Sequence, residues 1–132
     1  MSDELVARYL AAVEAADVPG MLALFTPDAV VHSPLYGDVP AAEFYPQLFA
    51  DTGAAELTLL GTMTGESVLG RPLLSFLFHF DWTLPTGTRA PFDVIDVAEL
   101  ADDGRIASLR IIYDTVDVRP AFEKDVRRRS AT

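Results

Sequence analysis

Asp96 is the residue in this chain best placed to do chemistry. It stands at the centre of the segment FDVIDVAEL, whose period-two alternation puts Phe92, Val94, Asp96, Ala98 and Leu100 on one face and Asp93, Ile95, Val97 and Glu99 on the other. A carboxylate aimed into an apolar interior is costly. It either finds a charge or hydrogen-bond partner, or raises its pKa and stays protonated, and acids perturbed in this way concentrate at functional sites. Its expected surroundings are aromatic: Phe76, Phe78, Phe80 and Trp82 share one face of PLLSFLFHFDWTL, and Leu109, Ile111 and Tyr113 one face of the last strand. These describe an apolar cavity holding one acid, with a filled hydrophobic core as the alternative.

Other chemistries find little support. Two histidines, His32 and His79, lie far apart without paired ligand spacing, and there is no cysteine, so no metal site or disulfide is expected. Neither Ser33 nor Ser75 lies in a nucleophile-elbow pattern, no glycine-rich phosphate loop occurs, and no cofactor is expected.

The elements that must position Asp96 follow from patterning. Ser2 reads as the cap of an amphipathic helix with Asp3 and Glu4 in its first turn and Leu5, Val6, Tyr9, Leu10 and Val13 at helical spacing. A second short helix, PGMLALF, starts after Asp17 and stops near Thr26 and Pro27. The run AVVHS is a short strand closed by the turn-like LYGDVP, and AAEFYPQLFADTG is a third helix in which Pro46 predicts a kink or an early end. Beyond Gly53, four β-rich segments are separated by the turns ESVLGRP, PTGT and ADDG. Three helices before a four-stranded antiparallel meander make the class α+β, a curved antiparallel sheet wrapped around N-terminal helices as a conical α+β barrel.

With 132 residues, half of them hydrophobic, the chain makes one domain over residues 1–118, followed by a basic tail at 119–132. That tail holds five of the ten basic side chains but two of the twenty acids, so the acidic body argues against a nucleic-acid surface; Arg127, Arg128 and Arg129 could touch an anionic partner, but a solvated, frayed terminus is the expectation. The acidic start MSDELVARYL is unlike a secretory signal, and no apolar stretch approaches a membrane span, so a cytoplasmic location with no membrane partner is expected. On the convex side of the sheet, Leu77, Ile95, Val97 and Ile112 would leave apolar surface, which predicts a homodimer through the sheet.

The order of elements and the stretch RYLAAVEAADVPGMLALFTPDAVVHSPLYG together resemble the nuclear transport factor 2-like superfamily, and within it the ketosteroid isomerases and the SnoaL-type polyketide cyclases. The pair Phe44 and Tyr45, the strand carrying Asp96 and the arm GRIASLRIIYD follow in matching order. The resemblance implies a pocket for an apolar small molecule lined by Val13, Phe44, Phe76, Phe78, Phe80, Trp82, Leu109, Ile111 and Tyr113. It implies that Tyr9 and a protonated Asp96 donate hydrogen bonds to a substrate oxygen as it becomes an enolate, with Tyr45 orienting Tyr9, as is known of the isomerases. The isomerases' proton-shuttling aspartate falls here on Ser33, whose hydroxyl has no useful basicity near neutral pH, so an ordinary ketosteroid isomerase is not expected. His32 would replace that base only if a slip turned it inward, since alternation points it away when Ser33 faces in. Asp38 could sit at the cavity mouth, whereas His79, Asp81 and Asp114 alternate with inward residues and should face out. Three readings remain: an enzyme acting on a carbonyl or polyketide-like substrate through an enolate, a non-catalytic binder of a steroid-like or other apolar ligand, and a dimeric scaffold with a filled cone.

Overall fold

The stripe Val6, Tyr9, Ala12 and Val13 is the buried face of α1 (Ser2–Ala15) in a computed structural model that describes residues 2–130. Ser2, expected as the cap, is already the first helical residue; its side chain lies outside the described ones. The helix ends through Ala16, which carries a φ of 52° while Asp17 N–H reaches back to the Ala12 carbonyl at 3.0 Å. A left-handed alanine costs about 1–2 kcal/mol, which glycine avoids at some cost in unfolded-chain entropy. Ala16→Gly is therefore expected to stabilise the protein by roughly 0.5–1 kcal/mol, read as a rise in thermal midpoint; an unchanged or lower midpoint contradicts this.

Asp17 caps α2 (Val18–Leu22), its Oδ1 accepting from Gly20 N–H at 3.0 Å. The helix stops four residues before Thr26 because sheet pairing claims the chain. The Leu24 carbonyl accepts from Ile106 N–H at 2.8 Å, and β1 (Phe25–Ser33) begins next, well ahead of the expected AVVHS. Part of the segment read as a turn is a strand, β2 (Gly37–Pro40), which folds back on β1 in the register Val30↔Pro40 to Ser33↔Gly37. Gly37, at φ 80°, supplies the left-handed residue the hairpin needs. In α3 (Ala41–Ala50), Pro46 does not end the helix, since buried Phe44, Tyr45, Leu48 and Phe49 on either side of it hold the helix to the core.

The remaining strands are β3 (Ala54–Glu66), β4 (Pro72–Thr83), β5 (Phe92–Leu100) and β6 (Ile106–Ile112), each antiparallel to the next. The parallel pairing of β1 with β6 extends this meander to a six-stranded curved sheet in the order β2-β1-β6-β5-β4-β3. The expected α+β class holds. The sheet has two free edges, however, so the cone is an open wrap rather than a closed barrel, and not every pair is antiparallel.

Residues 119–130 of the expected basic tail are helical, as part of α4 (Val118–Ser130). Val118 and Asp125 are buried, and Ala121 and Phe122 pack against the core. The expectation of a solvated Arg127, Arg128 and Arg129 cluster lies outside the described side chains. Among the described residues, no helix is long and apolar enough to cross a membrane. On the outer face of the sheet, Leu77, Ile95 and Ile112 fall in one row across β4, β5 and β6, and Ile112 is 48% exposed.

Candidate functional site

Strand parity delivers Asp96 to the interior, where it is 1% exposed and paired in register with Phe76 on β4 and Ile111 on β6. Neither carboxyl oxygen has a hydrogen-bond partner among the described residues. Burial raises its pKa from the usual carboxylate value to about 8, and the nearby Tyr9 hydroxyl works in the opposite direction. At neutral pH, Asp96 is therefore mostly a neutral acid, with the Tyr9 hydroxyl beside it.

Tyr9 reaches this region from the buried stripe of α1, its ring edge-on to Phe76 at 5.2 Å. Its hydroxyl meets that of Tyr45 at 2.8 Å. Tyr45, on α3, is fully buried among Phe25, Phe44 and Phe49, so it holds Tyr9 from behind and does not itself face the open space. Burial first, and then the charge of an ionised Asp96, pushes both phenols well above their ordinary pKa. Both stay protonated, as donors and not bases.

A cavity of about 40 Å³ opens in front of these groups. Of the residues expected at the site, it is lined by Tyr9, Asp96, Ser33, Val13, Phe44, Phe78, Phe80, Trp82, Ile111 and Tyr113. Phe76 and Leu109 share the inward parity but do not line it. Phe76 lies beneath the Tyr9 ring, and Leu109, wholly buried, pairs with Val31 and Ala98 deeper in the sheet. Phe92 stacks on Tyr113 at 4.1 Å, while Trp82 Nε1 donates to Thr52 Oγ1 at 2.9 Å. Leu35, Tyr36 and Leu48 also line the cavity and were absent from the sequence reading. Leu48 lies one turn past Phe44 on the same helix face, a signal the sequence does carry. Leu35 and Tyr36 come from the β1–β2 turn, whose inward course no periodicity announces.

The candidate bases do not converge here. Ser33 lines the cavity, but its Oγ accepts from Leu35 N–H and Tyr36 N–H, both at 3.2 Å, which makes it the anchor of the turn. His32 does not line the cavity: its Nδ1 lies 2.8 Å from Asp38 Oδ1, and the two share with Arg110 an adjoining groove that also touches Ser33, Ile111 and Tyr113. His79 pairs with Asp93 at 2.8 Å and Asp81 with Arg89 at 2.6 Å in exposed contacts, and exposed Asp114 accepts from Val116 N–H at 2.9 Å. The chemistry the cavity offers is thus acid-side chemistry: one neutral carboxyl group and hydroxyl donors in an apolar box.

Helices packed over one face of an open curved sheet, with the polar cluster enclosed between them, define the nuclear transport factor 2-like fold. A protein of that fold and unknown function from Exiguobacterium sp. 255-15 is similar with a TM-score of 0.68 and 18% identity, covering 83% of this chain and 98% of that one. TerC, solved in co-crystals with polyporic acid, gives 0.71 and 21% over 92% and 98% of the two chains. SalBIII, an epoxide hydrolase/cyclase-like enzyme with a role in pyran ring formation in the polyether salinomycin, gives 0.67 and 23% over 88% and 92%. Residues 6–109 match the SnoaL-like domain, and the chain belongs to that family.

Proposed function

We propose that this protein is a polyketide cyclase-type small-molecule protein that holds an apolar ligand by a carbonyl or enol oxygen, with Asp96 as the neutral donor and Tyr9, steadied by Tyr45, beside it. The observation that carries this reading is Asp96 itself, buried in an apolar cavity with both oxygens unpartnered among the described residues. A donor placed where negative charge develops stabilises an enolate more than the ground-state carbonyl, so the same geometry that binds an oxygen also favours enolisation. The cyclase-like character of SalBIII and the co-crystallisation of TerC with polyporic acid fit an oxygen-bearing apolar ligand here.

A second reading, binding without turnover, is favoured by one observation. The position that carries the isomerases' base holds Ser33, and among the described residues the cavity is lined, apart from Asp96, by no carboxylate, histidine, lysine or arginine. Proton transfer in this cavity then falls to Asp96 or to the ligand's own groups. The outer apolar row of Leu77, Ile95 and Ile112 supports a homodimer through the sheet as the assembled form.

The reading is tested by fluorescence titration with 2-naphthol, an enol mimic, against wild type and Asp96→Asn. Saturable binding to the wild type is expected, weakened in the variant by about tenfold, the equivalent of about 1.4 kcal/mol for a hydrogen bond in an apolar site. Equal affinity for the two proteins would remove Asp96 from the binding site.

A further inference from the structure

The cavity's free volume of about 40 Å³ admits water-sized molecules, whereas drug-sized ligands occupy pockets of roughly 300 Å³ or more. Part of its wall must yield when a ligand enters. The strands β4, β5 and β6 are bonded to one another along their length, and α1 and α3 are pinned by deeply buried faces. The covering over Trp82 and Tyr36, two lining residues, is different. It is Phe122 of α4, stacked on Trp82 at 5.9 Å and edge-on to Tyr36 at 5.2 Å. Two side-chain ties from α4 run to loops: Arg119 Nη2 donates to the Pro34 carbonyl at 2.6 Å, and Asp125 Oδ1 accepts from the Thr86 N–H and hydroxyl. Buried Val118 fixes the start of the helix, just after the segment 113–117 that leaves β6.

We propose that α4 is a hinged lid over the cavity, with Val118 at the hinge, Phe122 as the plug, and the Arg119–Pro34 and Asp125–Thr86 contacts as its latches. The lid's purpose rests on the reading of the cavity as a ligand site, but its motion does not need a ligand to be detected. Tyr36 belongs to the stationary rim: its hydroxyl donates to buried Asp51 at 2.7 Å, which also accepts from Gln47 Nε2, so the ring keeps its place against Phe44 when Phe122 departs.

The chain supplies its own reporters, with no cysteine and a single tryptophan, Trp82, under the plug. In the double variant Thr86→Cys, Asp125→Cys, oxidation locks one latch covalently and reduction frees it. Acrylamide quenching of Trp82 is expected to be several-fold faster in the reduced form, and faster than wild type in Phe122→Ala and in Arg119→Gln, which frees the other latch without touching the core. Association of 2-naphthol is expected to slow by about an order of magnitude or more on oxidation, because only the open fraction admits it. Equal quenching in the oxidised and reduced forms, with wild-type quenching in Arg119→Gln, overturns the lid even if naphthol binds. Quenching that follows the latch in a protein that never binds naphthol upholds the lid and rejects naphthol-like ligands instead.

Discussion

Asparagine at position 96 is expected to flatten the pH dependence of stability that the native acid imposes. The folded-state pKa of Asp96 is raised to about 8 from a starting value of 3.8. Below about pH 4 both folded and unfolded chains hold the proton, and the stabilising contribution of the neutral acid is complete. Between about pH 4 and 8 the unfolded chain has released a proton that the folded chain keeps, so stability falls as pH rises, by about 1.4 kcal/mol per unit. Above about pH 8 both states are ionised and the loss is complete. Asparagine has the same shape and no proton to lose, so the stability of Asp96→Asn relative to wild type should grow by about 4 kcal/mol from pH 5 to pH 8, as an order of magnitude. Urea denaturation of both proteins across that range checks this, with surface ion pairs such as His32–Asp38 cancelling in the difference. Parallel curves would mean that Asp96 is ionised in the folded protein at neutral pH.

The second large effect is a gain. Ser33→Asp is expected to create proton transfer between carbons, because an aspartate can keep the turn while bringing a base into the cavity. Asx and serine turns use the same side-chain oxygen to accept backbone N–H groups, here those of Leu35 and Tyr36, which leaves the second carboxylate oxygen for the cavity. A second carboxylate in the same apolar space disfavours ionisation of Asp96 further, which preserves its donor role. Isomerisation of a β,γ-unsaturated ketone such as a Δ5-3-ketosteroid should rise by about two to four orders of magnitude over wild type, the usual worth of a placed general base. A folded variant that binds 2-naphthol yet shows no such rise would show that Asp96 and position 33 do not face the same ligand atoms.

Local patterning made much of this legible. The alternation in FDVIDVAEL placed Asp96 inside, and the aromatic parity of β4 placed Phe78, Phe80 and Trp82 around it, because a period of two is a local property of the chain. Parity assigns a face but no depth, which is why Phe76 and Leu109 were expected at the cavity and are packed beyond it. What long-range pairing decides was hidden. The parallel docking of β1 on β6 ends α2 early, and it lets the segment GDVP act as an edge strand instead of a turn. In α4 the apolar positions Val118, Ala121 and Phe122 are diluted by charges, so the segment reads as a solvated tail. The helix finds its place only because Trp82, Tyr36 and Thr86 offer it partners on other elements.

Difference infrared spectroscopy of wild type against Asp96→Asn, followed from pH 5 to pH 10 with and without 2-naphthol, tests most directly whether Asp96 is a neutral donor to a bound oxygen. The expected result is a protonated carboxyl band, absent from the variant, that persists at neutral pH, fades with a midpoint near pH 8, and shifts when naphthol occupies the cavity. A carboxylate band already present at pH 6, or a protonated band indifferent to naphthol, would contradict it.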